Sequence, residues 1–198
     1  MKKTKQLFLS TLIIVSTVVL ASCAVTTPPA EQPTETTAAT TVSSIESSTE
    51  ASSEPYEPYY IENLELTSLD GSKVNLYDYK GQRIILNFWA TWCQYCVKEM
   101  PLLDALDQQD DVVVLAISVG EDAETVQKYI DENGYGFDVF LDEEGTLASL
   151  FGVTGFPTSM FLGTDFEYFY SYPGMVEQET IDAIFEAIDG ILEERKNQ

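Results

Sequence analysis

Hydrophobic patterning changes character several times along the chain. Leu7 to Leu20 is an almost unbroken apolar stretch behind a basic start, too short for a comfortable membrane span. From Ala24 to about Pro58 large apolar residues almost vanish, so little surface can be buried to offset the entropy of ordering. Asn63-Leu64-Glu65-Leu66 and Lys73-Val74-Asn75-Leu76 then alternate around Asp70-Gly71, which predicts a β-hairpin. Lys80-Gly81-Gln82 turns the chain into an apolar strand, Arg83 to Ala90. Beyond it Val97, Met100, Leu103 and Leu106 recur at helical spacing and point to a core, with Asp104 and Asp107 outward. Pro101 lies inside that helix. It removes one backbone donor and crowds the carbonyl of Val97, so a kink is expected.

Val112 to Val119 is a continuous run rich in β-branched residues, the pattern of a strand covered on both faces. Glu121 to Asn133 reads as a helix with acids in its first turn and Gly134 as its stop. Phe137 to Leu141 predicts a short strand and Gly145 to Phe151 a short helix. Two strands follow, Thr158 to Leu162 and Phe166 to Tyr172. Ile181, Ile184, Phe185, Ile188, Ile191 and Leu192 make the apolar stripe of a last helix. This succession predicts an α/β layered domain, a mixed sheet flanked by helices, with no internal repeat.

Composition narrows the chemistry. The 198 residues include 33 acidic and 10 basic side chains, a formal charge of −23. Such a surface repels phosphate backbones, so no nucleic-acid partner is expected. There is no histidine, which excludes Ser-His-Asp and Cys-His nucleophile schemes and most zinc sites. Asp142-Glu143-Glu144 lacks the ligand spacing of an EF-hand and reads as a solvated turn. Neither a metal nor another cofactor is expected.

Three segments follow from these patterns: 1–22 as a signal peptide, 23–58 as a Thr/Ser/Pro/Glu-rich tether, and 59–198 as the folded domain. Leu20-Ala21-Ser22-Cys23 resembles a bacterial lipobox, which makes Cys23 a lipid-attachment site rather than a catalyst. Several acyl chains on one residue hold a membrane well. The tether has an r.m.s. reach of roughly 30–35 Å. The Tyr56, Tyr59, Tyr60 cluster is expected to latch the tether's end onto the domain.

The other two cysteines carry the chemistry. Cys93-Gln94-Tyr95-Cys96 sits where an apolar strand ends and a helix begins. The first N–H groups of a helix lack partners, and its dipole is positive there. A thiolate at that point is stabilised, with pKa values of about 3.5–7.5 known for such sites. Thiol–disulfide chemistry is the leading reading; a permanent structural disulfide and half of a zinc site are the alternatives. Zinc would need about four ligands, and Cys23 is the only further cysteine.

Asp70-Gly71, the block Leu86-Asn87-Phe88-Trp89-Ala90-Thr91-Trp92-Cys93-x-x-Cys96-x-x-Glu99-x-Pro101, and Gly155-Phe156-Pro157-Thr158 resemble the TlpA/ResA-like oxidoreductases of the bacterial envelope. The likeness covers about 135 residues, the whole domain without signal or tether. It implies a thioredoxin fold with an N-terminal β-hairpin and a central helix–strand insertion at roughly Gly136 to Phe151. It implies Cys93 as the attacking thiol and Cys96 as the resolving one. It implies a cis Pro157, so that the backbone of Phe156 can pair with a substrate strand. Asn87 stands where plain thioredoxins resemble one another in carrying a buried aspartate, and Glu99 becomes the carboxylate that takes the Cys96 proton. Trp92 is expected in an apolar platform for a partner, whereas Trp89 and the aromatic run Tyr168 to Tyr172 are expected in packing.

The resemblance further implies a monomer on the outer face of the cytoplasmic membrane, acting on protein thiols and disulfides. A membrane donor of the CcdA/DsbD type would supply electrons. Apocytochrome c thiols, methionine sulfoxide reductases and misoxidised envelope proteins are the expected targets. Gln94-Tyr95 differs from the Glu-Pro or Pro-Pro common among the family's reductases. A disulfide-forming oxidant and a non-catalytic lipid-anchored module therefore stand as alternatives. A peroxidatic cysteine resembles a Thr-x-x-Cys arrangement, which Thr91-Trp92-Cys93 does not match.

Overall fold

A computed structural model describes residues 57–197; the predicted signal, Cys23, Tyr56 and almost all of the tether lie outside the described residues. The elements in chain order are β1 (Tyr59–Tyr60), β2 (Glu65–Ser68), β3 (Lys73–Asn75), a 3-10 turn (Leu76–Tyr79), β4 (Arg83–Trp89) and α1 (Gln94–Asp107). Then come β5 (Val112–Val119), α2 (Ala123–Asn133), β6 (Asp138–Asp142), α3 (Thr146–Leu150), β7 (Thr158–Leu162), β8 (Glu167–Pro173) and α4 (Gln178–Lys196). They form one mixed eight-stranded sheet in the order β1-β8-β7-β4-β5-β6-β2-β3. β4, β5 and β6 run parallel, and every other pairing is antiparallel.

The alternation of β4 sorts the core into two layers. Ile84, Leu86 and Phe88 face a cluster with Leu66, Leu76, Phe140 and Ala148, beneath the hairpin and α3. Ile85 and Trp89 face the opposite cluster, built with Met100, Leu103 and Leu106 of α1, Val126 and Ile130 of α2, and Ile181 and Ile188 of α4. Burying each such side chain contributes about 2 kcal/mol, which fixes α1 against the sheet. Asn87 falls between Ile85 and Trp89 and is fully buried. The segment expected as the central helix–strand insertion, roughly 136–151, instead supplies a strand and then a helix, β6 and α3.

Four expectations change in detail. Tyr59 and Tyr60 form a strand, paired through Tyr59 with Tyr168 and Tyr60 with Glu167. Two residues are too few to give a period-two signal. Val97 does not reach the core but is exposed, at 36%, because the buried stripe of α1 runs through Cys96, Glu99, Met100, Leu103 and Leu106. A polar residue took the place that the apolar pattern assigned to Val97. Asp104 and Asp107 are not simply outward: their Oδ1 atoms accept from the N–H groups of Gly136 (2.7 Å) and Val114 (2.8 Å). The second helix begins at Ala123, where Asp122 caps it by accepting from the Thr125 N–H at 2.8 Å. Glu121 is left outside that helix. α1 runs continuously through Pro101, which is exposed like Val97 one turn earlier. Among the described residues no helix is long and apolar enough to cross a membrane.

Candidate active site

β4 ends at Trp89, and the chain turns through Ala90, Thr91 and Trp92 into α1. The turn is held from both sides. The Ala90 carbonyl accepts from the Cys93 N–H at 3.1 Å. Glu121 accepts from the Thr91 N–H at 2.8 Å, from the Thr91 hydroxyl, and from the Ser118 hydroxyl at 3.0 Å. Cys93 then takes the N-cap position of α1 in extended backbone conformation. Its carbonyl accepts from the Val97 N–H at 3.0 Å, and its Sγ accepts from the Cys96 N–H at 3.2 Å. No acidic residue lies in the first turn of α1. The sulfur therefore sits where unpaired N–H groups and the positive end of the helix converge.

Cys93 and Cys96 are joined as a disulfide. Cys93 is 7% exposed and Cys96 fully buried. The rim is aromatic and open: Trp92 and Tyr95 are 68% and 61% exposed. Trp92 meets Phe156 edge to face with ring centroids 6.0 Å apart, and the Lys98 ammonium lies over the Tyr95 ring at 5.3 Å. The Phe156–Pro157 bond is cis. Thr158 Oγ1 donates to the Gly155 carbonyl at 2.8 Å, and Gly174 N–H donates to the Pro157 carbonyl at 2.8 Å.

Beneath the disulfide lies one carboxyl. Glu99 shares the buried face of α1 with Cys96, one turn away. Oε1 accepts from Asn87 Nδ2 at 2.8 Å and Oε2 from the Val176 N–H at 2.9 Å. Desolvation by burial pushes the acid up to about 7, against the opposing pull of the Val176 and Asn87 hydrogen bonds. A carboxyl poised there can exchange a proton at neutral pH.

The fold brings together Cys93, Cys96, Glu99 and Asn87, and it sets Trp92 against Phe156 beside Pro157. Cys23 lies outside the described residues. Sequence reasoning missed Glu121, Ser118, Ser159 and the Val176 N–H. A serine within an otherwise apolar strand run is a usable signal for Ser118 and Ser159. A backbone donor such as Val176 leaves no trace in the sequence. Among the described residues no group of three or more His, Cys, Asp or Glu could hold a metal ion.

A dithiol capping the first helix, with a buried carboxyl behind it, defines a thioredoxin-like redox protein. The chain belongs to the AhpC/TSA family, which it matches over residues 60–167. Among its curated relatives, thiol-disulfide oxidoreductase ResA of Geobacillus thermodenitrificans is 32% identical over 126 residues, 62% of this chain and 72% of the relative. ResA of Bacillus thuringiensis subsp. konkukian is 30% identical over 129 residues, 64% of this chain and 75% of the relative. The solved exposed lipoprotein thioredoxin of Streptococcus pneumoniae superposes with a TM-score of 0.56 at 30% identity, covering 63% of this chain and 99% of that one. The solved StoA of Bacillus subtilis, at 24% identity and a TM-score of 0.54, covers 63% of this chain and 96% of its own and shares the fold. The activity class is that of a thiol–disulfide oxidoreductase of the ResA type.

Proposed function

We propose that this protein is a lipid-anchored reductase of protein disulfides working outside the cytoplasm. The observation that carries the catalytic reading is the asymmetric dithiol, one sulfur capping a helix at an open rim and the other buried over Glu99. In the reduced enzyme the Cys93 thiolate attacks one sulfur of a partner disulfide. A bond forms between Cys93 Sγ and that sulfur, and the partner's other sulfur leaves as a thiolate that takes a proton. Cys96 passes its proton to the Glu99 carboxylate and attacks Cys93 Sγ. The mixed disulfide breaks, the partner's second sulfur leaves as a thiolate that takes a proton, and Cys93–Cys96 holds the disulfide. Two electrons have moved to the partner.

Trp92 and Phe156 supply the apolar platform, and Pro157 turns the Phe156 backbone toward the partner strand. A membrane electron donor of the CcdA/DsbD type returns the dithiol to its reduced form. Apocytochrome c thiols, methionine sulfoxide reductases and misoxidised envelope proteins are the targets of this chemistry. Residues 1–22 serve as signal, Cys23 as the lipidated residue, 23–58 as tether and 59–198 as the monomeric catalytic domain. The Leu20-Ala21-Ser22-Cys23 sequence supports the anchor, as does the likeness to a solved lipoprotein thioredoxin. Cys96→Ser tests the scheme: Cys93 should remain covalently joined to its partner, identifiable by mass spectrometry. Recovery of no mixed disulfide from cells would overturn it.

A further inference from the structure

Asn87 lies on the face of β4 that otherwise carries Ile85 and Trp89 into the core. A fully buried amide among apolar neighbours is costly unless its hydrogen bonds are made. Both protons of its Nδ2 are used: one goes to Glu99 Oε1 at 2.8 Å, the other to the buried Ser159 Oγ at 2.9 Å. Its Oδ1 is buried and has no hydrogen-bond partner among the described residues. The amide is thus satisfied on its donor side alone. Were it turned over, Oδ1 would face Glu99 Oε1, acceptor against acceptor, which an ionised carboxylate cannot tolerate.

We infer that Asn87, oriented by Ser159, is the positioning residue for Glu99: it holds a donor against Oε1 and so sets the pH at which that carboxyl ionises. Ser159 lies two residues beyond Pro157, so this connection ties the strand beside the substrate rim to the proton-carrying group on α1. An aspartate at 87 could not act in this way, because ionised it has no proton to donate. Cys96 shares the buried face of α1 with Glu99, and the groups bonded to that carboxyl are Asn87 from β4, with Ser159 of β7 behind the amide, and the Val176 N–H from the segment before α4. Burial raises the Glu99 carboxyl, and the hydrogen bonds from Val176 and Asn87 pull it back down. The amide and the Val176 N–H are therefore what oppose its desolvation.

The inference builds on the proton-accepting role proposed above for Glu99, but its test does not depend on it. Glutamate labelled with 13C at the carboxyl carbon reports each titration in the oxidised protein, where neither Cys93 nor Cys96 can ionise. Glu99→Gln assigns the signal. Asn87→Leu should move the Glu99 midpoint upward by about one unit or more, as expected for losing a hydrogen bond to the charged form. Ser159→Ala should move it upward by less. A merely structural role would loosen the packing, admit water and move the midpoint down. Midpoints unchanged or lowered in both variants overturn the inference; if Asn87→Leu does not fold, Ser159→Ala decides alone. The pH profile of thiol alkylation in the reduced variants separates the two readings. If the Glu99 midpoint rises and that profile stays fixed, the positioning role stands and the proton transfer proposed for Glu99 falls.

Discussion

Two glutamates brace the active site and do opposite things. Glu121 reaches from the end of β5 and collects hydrogen bonds from the Thr91 N–H and the hydroxyls of Thr91 and Ser118. It is partly exposed, so it keeps contact with water while its oxygens pin the turn before Cys93. Glu99 has one hydrogen bond to each oxygen, from Asn87 and Val176, and is almost wholly removed from solvent. Its ionisation is pushed up to about 7. The contrast teaches that donor number and solvent access, rather than residue type, decide whether a carboxylate is a clamp or a proton store.

The largest effect that sharpens this comparison is the pH dependence of stability. Unfolded, the Glu99 carboxyl titrates near its ordinary 4.5; folded, near 7. Between those values the folded chain keeps a proton that the unfolded chain has released. The contribution of Glu99 is therefore most favourable below about 4.5, declines as pH rises to about 7, and is level above it. The decline is worth about 3 kcal/mol. Denaturant unfolding of the oxidised protein at about pH 5 and about pH 8 should show it, and Glu99→Gln should remove it. A parent and variant with the same pH slope would erase the distinction between the two acids.

A smaller effect attaches to the clamp. Glu121→Ala leaves the Thr91 N–H and two hydroxyls without their acceptor, which should cost about 2 kcal/mol. Hydrogen exchange at the Thr91 amide should accelerate with it, while the Glu99 midpoint stays put. Protection retained at Thr91 would mean that Glu121 does not pin the turn. The smallest expected effect lies at the rim. Trp92 is mostly exposed, so Trp92→Ala should change stability by less than about 0.5 kcal/mol. It should slow exchange with protein disulfides several-fold while sparing small dithiols. Equal slowing of both would assign Trp92 to the dithiol's own chemistry instead of to partner packing.

The legible parts of the molecule were those with strong periodicity. β4, β5 and β7 follow their apolar patterns closely, and β7 matches its expected limits of Thr158 to Leu162, whereas α4 buries Ile181 and Ile188 of its stripe and leaves Ile191 exposed. The shared buried face of Cys96 and Glu99 was legible because their spacing along one helix fixes it. Trp89, expected in packing, is fully buried. What escaped was set by contacts distant in sequence. Glu121 looks like a first-turn helix acid until the loop carrying Thr91 folds against it. Val97 looked apolar enough for the core, yet burial of Glu99 on α1 turned it outward. β1 forms because β8 offers a neighbour at Glu167 and Tyr168, not because Tyr59-Tyr60 carries a strand signal.

Exchange at this site turns on the state of one sulfur in the reduced protein. Iodoacetamide alkylation of Cys93 across pH, in the folded chain with Cys96→Ser as control, measures it directly. The helix-capping position predicts a thiolate that forms more readily than in free cysteine, and so a faster reaction at neutral pH. A folded protein whose Cys93 reacts no faster at neutral pH than free cysteine would contradict the account.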